Sequence, residues 1–360
     1  MRKNNVQIQE ASHPVPDERS VEGATHILNM VREEASERTL VLCCISGGGS
    51  ALFCAPKPPL TLHDLITTSE ALLASGMTIQ QMNIIRKRLE MGKGGRLAAA
   101  AYPSTVVTLV LSDILGDPLD LIASGPTVPD TSTWKDARDL VQSSISLQST
   151  LPPAVLQVLQ EGLQEDIPLK VFQKAETVLV GNNELAVMAA ADEAQRLGYH
   201  PVVLTTRMEG EARHVAGVYT AMAHHLSCQH ERDLPYKMAN LPAAIIGGGE
   251  TTVTLVGKTG TGGRNQELAL AAALQLKRYS LRNVVLASVG TDGTDGPTDA
   301  AGAVVDGGTI DRLDGEAEQA LQQHDAYTYF QQAAEGNESP LIVTGPTGTN
   351  VADVCVTLIR

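Results

Sequence analysis

The chain has 360 residues and a formal net charge of −14, a balance that argues against general binding to nucleic acid or to an anionic membrane surface. Hydrophobic residues make up 43% and aromatics only 3%, so a large core must be built from Ala, Leu, Val and Ile, and the length suits two domains. No apolar run approaches the ~18 residues of a membrane span, and the opening MRKNNVQIQEASHPVPD has neither an apolar signal region nor an arginine-rich targeting pattern.

His13-Pro14-Val15-Pro16-Asp17 is rigid and extended, because each proline disfavours helix at the residue before it. Residues 20–36 read as a helix. Leu40 to Ile45 (LVLCCI) is a continuous apolar run, expected to form a strand buried on both faces. It enters Ser46-Gly47-Gly48-Gly49-Ser50, a glycine-rich turn where open α/β sheets bind ligands and where backbone N–H groups can cradle an anion. The turn is neither GxGxxG nor a P-loop, so it does not choose the ligand, and a plain strand-to-helix turn stays open beside the anion reading. The five cysteines form no CxxC and no zinc spacing, which suits thiols in a reducing compartment, and a cytoplasmic location is expected.

Thr61 to Asp64 and Thr78 to Gln81 mark two helix starts as capping boxes. The second helix leads into the densest basic cluster of an acidic chain. Within it Asn83, Arg86, Lys93 and Arg96 are candidates for a phosphate or carboxylate, while Arg88 reads as part of a solvated helix face. Thr105 to Leu111 is the next buried strand. It ends at Asp113, a carboxylate placed where the ligand crevice of such sheets lies. Residues 131–175 read as helix and connection, with a helix at 151–163.

Alternation then restarts: strands at 177–180, 202–205, 243–246, 283–289, 341–344 and 354–359, and helices at 182–197 and 209–226. Gly247 to Glu267 (GGGETTVTLVGKTGTGGRNQE) carries the strongest chemistry. It reads as a glycine-rich turn, a short strand over Thr251 to Val256, a second glycine-rich turn, and a helix opened by Arg264-Asn265-Gln266-Glu267. A helix N-terminus with free N–H groups and an arginine fork suits an anion. Asp292, Asp295 and Asp299 follow another strand. They offer oxygen to Mg2+, although turn-forming aspartates are the competing reading.

GGGETTVTLVGKTGTGGRNQELAL, SVGTDGTDGPTDAAGAVVD and TGPTGTNVAD closely resemble the MOFRL domain of the class II glycerate kinases. CISGGGSALFCAP, ASGMTIQQMNIIRKRLEMGKGGRLA, LVLSDILGDPLDLIASGPTVPD and ASHPVPD resemble the upstream domain of the same enzymes. The resemblance runs from about Ala11 to the end. It implies two unlike α/β domains: a Rossmann-like N-terminal domain, present in part, over 1–150, a connection over 151–175, and a second α/β domain with a mixed sheet over 176–360 that includes the MOFRL region at 243–354. It implies transfer of the ATP γ-phosphate to D-glycerate, usually giving 2-phosphoglycerate, with Mg2+ in an interdomain cleft.

Carried onto this sequence, Arg264, Glu250 and Asp113 are the expected catalytic residues. Arg264 would stabilise the transferring phosphoryl group or hold the glycerate carboxylate. Ser46, Gly47, Gly48, Gly49, Ser50, Asn83, Arg86, Lys93, Arg96 and Asn265 are the expected substrate- or nucleotide-binding residues, and Asp292 the expected metal contact. The sequence departs from the family at Gly92, at His324-Asp325-Ala326, and before HPVPD, where the family carries a strand, a glycine-rich turn and a lysine. Either the chain is a fragment or short isoform, or another lysine such as Lys93 substitutes, or turnover is lost; without that unit a sheet edge or apolar face is expected to lie uncovered. A non-catalytic paralogue that binds glycerate or nucleotide is the alternative reading. A nicotinamide-dependent oxidoreductase is a weaker one, since GxGxxG is absent.

Overall fold

The structure, a computed structural model, describes residues 6–162, 167–228, 238–257, 259–313, 315–332 and 339–360. The chain divides into two compact units, one of residues 1–111 with 117–180, the other of 112–116 with 181–360. Asp113 therefore belongs to the second unit.

The first unit holds a three-stranded sheet in the order β1 (Leu40–Ile45), β2 (Thr105–Leu111), β3 (Ala175–Gly181). β1 and β2 are parallel, with Leu40 opposite Thr105. β3 runs the same way, since Val106 N bonds to Lys174 O at one end and Ser112 N to Gly181 O at the other. The Glu18–Glu33 helix starts at Asp17, which forms a capping box with Ser20, and it buries Ala24, Leu28 and Val31 against Leu97, Ala101 and Val106. A second core gathers Leu72, Ile85, Leu89, Leu147, Val155 and Leu159 from surrounding helices. The boxes at Thr61 and Thr78 both form, each closing the first turn of its helix. The helix expected at 151–163 spans Pro153–Glu161; Leu163 lies outside the described residues.

The expectation that β1 is buried on both faces is corrected. Its residues alternate: Val41 and Cys43 pack on the core, while Leu40 is 63% and Leu42 58% exposed. Val178 and Val180 of β3 share that bare face by register and are also exposed. An apolar run alone cannot tell a strand covered on two faces from one covered on one, because that depends on whether a second layer packs there.

The second unit is built on a six-stranded sheet in the order β4 (His200–Met208), β5 (Ala243–Gly249), β9 (Asp353–Ile359), β6 (Val284–Gly290), β7 (Gly302–Asp306), β8 (Leu341–Ile342). β4 and β5 are parallel; β9 is antiparallel to both β5 and β6, so the sheet is mixed. β5 is buried throughout. Ala243 and Ile245 face a core shared with Tyr219, Leu226, Leu268 and Leu276, and Ala244 and Ile246 face Val187, Ala191 and Ala194 on the other side. This is the two-faced burial that the run over 40–45 lacks.

Two local expectations around β5 are corrected as well. Gly247, Gly248 and Gly249 continue the strand rather than turn. A Cβ on Gly247 would collide with the Tyr219 hydroxyl and one on Gly248 with the Asn183 side chain, so the glycines admit close neighbours. Thr251 to Val256 is not a strand. Only an isolated bridge from Glu211 to Thr252 forms there, and the Glu211 carboxylate takes Thr254 N at 3.2 Å and its hydroxyl. Polar and β-branched alternation supplies no ladder without a partner strand.

Leu28, 1% exposed, and Leu42 make a paired test of the bare face. Leu28→Ala is expected to lower the unfolding free energy by about 2–5 kcal/mol, and Leu42→Ala to change it by less than about 0.5 kcal/mol. Urea unfolding midpoints of the two variants check this; equal losses would show β1 buried on both faces.

Candidate active site

Antiparallel insertion of β9 shapes the second unit's site. Asp353, its first residue, lies opposite Gly249 at the end of β5 and opposite Gly290 at the end of β6. A strand running the other way thus brings its start to the edge where two neighbours finish. Glu250 follows Gly249 directly, and the helix Arg264–Arg278 begins at the same edge.

Arg264 reaches Asp353 with two nitrogens, Nε to Oδ2 at 2.6 Å and Nη2 to Oδ1 at 2.9 Å. Its Nη1 lies 3.0 Å from Glu250 Oε1. Burial alone would ease the proton off the guanidinium, but the bonds and charge of Asp353 and the charge of Glu250 hold it firmly cationic. Asp353 also accepts from Asn265 Nδ2 at 3.0 Å, and Asn265 Oδ1 accepts from the Ser288 hydroxyl at 2.6 Å. Glu250 is half-buried. Burial pushes its carboxyl up; the charges of Asp353, Asp113 and Asp292 add to the rise, and Arg264 opposes it. Asp113 and Asp292 therefore lie within electrostatic reach of Glu250.

The expected free helix N-terminus is occupied by the chain itself. Asp295 accepts from Asn265 N at 3.1 Å and from Gln266 N at 2.9 Å, so the anion that the helix end favours is a side chain from the loop after β6. Gly263 leaves room for it, since a Cβ there would collide with Asp295. The other aspartates of that loop diverge. Asp292 closes a turn by accepting from Thr294 N at 2.9 Å, and Asp299 accepts from the Tyr327 hydroxyl at 2.5 Å. Among the described residues no group of three or more His, Cys, Asp or Glu is arranged to hold a metal.

The first unit gathers the other candidates. Gly48 adopts φ 81° and Gly49 opens a short helix over Gly49–Leu52. The Ser50 hydroxyl lies 3.1 Å from that of Ser124, which donates to Asn83 Oδ1 at 3.2 Å. Lys93 is buried. It donates to Ser50 O at 2.7 Å and pairs with buried Glu90, which takes Ala55 N. Arg96 donates to Lys87 O at 2.8 Å and Lys93 O at 2.9 Å. Asn83, Lys93 and Arg96 thus brace the Ser46–Ser50 loop and its surroundings from within. Arg86 is partly buried, and burial lowers its pKa against the opposing charge of Glu90. Arg88 does not sit on a solvated face: it is buried against Asp130 and Ser132, with Trp134 beside it. Gly92, a departure from the expected apolar residue, leaves space that the Phe53 ring fills. His324 Nδ1 lies 2.8 Å from Glu267 Oε2 and 3.0 Å from Arg213 Nη2, and it bonds one of them according to its tautomer: with a proton it donates to Glu267, without one it accepts from Arg213.

Asp353 was not singled out by sequence reasoning, and Asp295 only as one of three turn aspartates. The available signal for Asp353 was its place between the GPTGTN loop and an apolar strand. Its use depends on a pairing order that the sequence does not display.

Residues 1–160 match the profile of a domain of unknown function, DUF4147, and residues 243–353 that of the MOFRL family. Over 360 residues the chain is 40% identical to a Thermotoga maritima protein named D-glycerate 2-kinase, covering 99% of this chain and 81% of that protein. It is 41% identical over 358 residues to an Agrobacterium vitis protein named putative hydroxypyruvate reductase, covering 98% of this chain and 88% of that one. The crystal structure of a glycerate kinase from Thermotoga maritima superposes with a TM-score of 0.88 at 38% identity, covering 99% of this chain and 82% of that one.

Burial lifts the Asp295 carboxyl to about 6, with the bonds from Gln266 and Asn265 opposing and the Asp353 charge adding to the rise. Its free value is 3.8, so the folded state binds this proton more tightly than the unfolded chain. The group therefore adds stability that is fully present below 3.8 and is lost as pH rises through about 6. Asp295→Asn removes this linkage. Thermal unfolding of both proteins should show the wild type gaining on the variant as pH falls from about 7.5 to about 4.5; a constant gap, or one moving the other way, contradicts the assignment.

Proposed function

The chain belongs to the class II glycerate kinases, and from that membership and the Arg264 cluster we propose that it transfers the γ-phosphate of ATP to the C2 hydroxyl of D-glycerate. The observation that carries the reading is the guanidinium of Arg264, fixed by Asp353 at the edge where β5 and β6 end and faced by a second carboxylate, Glu250. Phosphoryl transfer asks a protein mainly for positioning and charge stabilisation. Arg264 supplies the cation that stabilises the equatorial oxygens of the transferring group. Glu250, whose carboxyl is lifted by burial and neighbouring charge, accepts the proton of the C2 hydroxyl as that oxygen attacks the γ-phosphorus. The bond from the γ-phosphorus to the bridging oxygen breaks, and ADP leaves. Asp113 adds to the field that tunes Glu250.

Mg2+ fits this arrangement as a companion of the nucleotide rather than of a protein cage. Such a cation would need only one or two carboxylates from the protein and would otherwise be held by the nucleotide. Asp292, near the excess negative charge around Glu250, is the contact we propose. When bound, the ion neutralises charge on the phosphates. The Ser46–Ser50 loop of the first unit is retained as an anion-binding candidate, with Asn83 and Lys93 bracing it. No described helix is long and apolar enough to cross a membrane. The free cysteines suit a reducing compartment, which supports a cytoplasmic location.

The name of the Agrobacterium relative favours a second reading, reduction of hydroxypyruvate. Against it, the loop after β1 reads SGGGS and lacks the dinucleotide fingerprint.

ADP release should depend on D-glycerate, and Arg264→Ala should lower kcat/KM by about 10²–10³-fold. NADH consumption with hydroxypyruvate should stay at background. Arg264→Ala turnover within about threefold of wild type would remove Arg264 from the mechanism, and hydroxypyruvate-dependent NADH oxidation above background would favour the reductase.

A further inference from the structure

We propose that Asp353 is a positioning residue for phosphoryl transfer, fixing the guanidinium of Arg264 in one orientation. The inference rests on the function proposed above. An arginine on the first turn of a helix has several rotatable bonds and ordinarily samples many rotamers. Here Nε and Nη2 are both committed to the two oxygens of one carboxylate, the fork geometry that fixes a guanidinium plane as well as its distance. Nη1 is left facing Glu250, which sets the direction in which the cation is presented.

A positioning group must itself be held. The Asp353 backbone is paired on both sides, with Gly249 and with Gly290, and its carbonyl accepts from Asn183 Nδ2 at 2.9 Å. Its Oδ1 takes a further bond from Asn265 Nδ2 at 3.0 Å. Asn265 is in turn anchored by Ser288 on β6 and by Asp295. The flanking strand residues are glycines, so no side chain from either neighbour competes for the carboxylate. Asp353 is buried while Arg264 is about one-third exposed, so the anion belongs to the scaffold and the cation faces outward. This is a rigid supporting shell behind a group that meets substrate.

A fold-stabilising ion pair would look similar in a static view, and a double-mutant cycle separates the two. Asp353→Asn should lower kcat by about 10–100-fold, the cost of misplacing a charge-stabilising group, with KM for ATP and D-glycerate changed by less than about threefold. Arg264→Lys, which keeps the charge and loses the fork, should fall similarly. The double variant should lose at most about threefold more than Arg264→Lys alone, because the fork carries most of the effect of Asp353 and its charge is only one of several that lift the Glu250 carboxyl. Losses that multiply would overturn the positioning role. Should Asp353→Asn fail to fold, the Nε–H resonance of Arg264 in the wild type, identified by its disappearance in Arg264→Lys, serves instead. A slowly exchanging resonance supports the proposal, and an averaged, rapidly exchanging one overturns it. Wild-type turnover with D-glycerate keeps the two claims apart. Its absence removes the kinase reading together with this role, whereas turnover with multiplying losses removes the role alone.

Discussion

The bidentate bond between Asp353 and Arg264 is the interaction on which the second unit's site depends. It exists because β9 enters the sheet between β5 and β6 in the opposite direction, placing its first residue beside the last residues of both neighbours. Had β9 run parallel, its first residue would lie at the far edge and Arg264 would face two strand ends without a scaffold anion. The glycines of β5 serve the same end. They let Tyr219 and Asn183 pack against the strand, and Asn183 then holds the backbone around Asp353.

Charge around this pair is divided by burial. Asp353 is buried but bonded by an arginine fork and an amide, which offset the desolvation of its anion. Glu250 has one contact to the same arginine, more solvent, and three like charges nearby, so its carboxyl is lifted. Asp353 is thereby tied into the scaffold, while Glu250, with its lifted carboxyl, is the group to which the proposed function assigns the proton. Asp295 takes a third part: it accepts from the amide groups of Asn265 and Gln266 at the start of the arginine's helix, so that helix end already has its anion.

Much of this was legible in the sequence. The strand-and-loop alternation, the capping boxes at Thr61 and Thr78, Arg264 at a helix start, and the family motifs all follow from local patterns of glycine, apolar period and cap residues. What was not legible is of two kinds. Partners distant in sequence, such as Asp353 for Arg264 and Asp295 for the helix start, depend on strand order, which local periodicity does not encode. Second layers are also invisible locally: LVLCCI at 40–45 and AAII at 243–246 read alike, yet only the second is covered on both faces. The glycines at 247–249 misled for a related reason, since a residue chosen for close packing inside a sheet looks like a turn former when its neighbours are unknown.

The most direct measurement is the phosphorus NMR spectrum of the product formed from ATP and D-glycerate by this chain. Phosphate on C2 couples to a single carbon-bound proton and gives a doublet; phosphate on C3 couples to two and gives a triplet. Transfer to C2 with Arg264 as the stabilising cation predicts a doublet that grows with the ADP signals and is not detected over the same time with Arg264→Ala. A triplet, or an equal doublet from the Arg264→Ala variant, would contradict it.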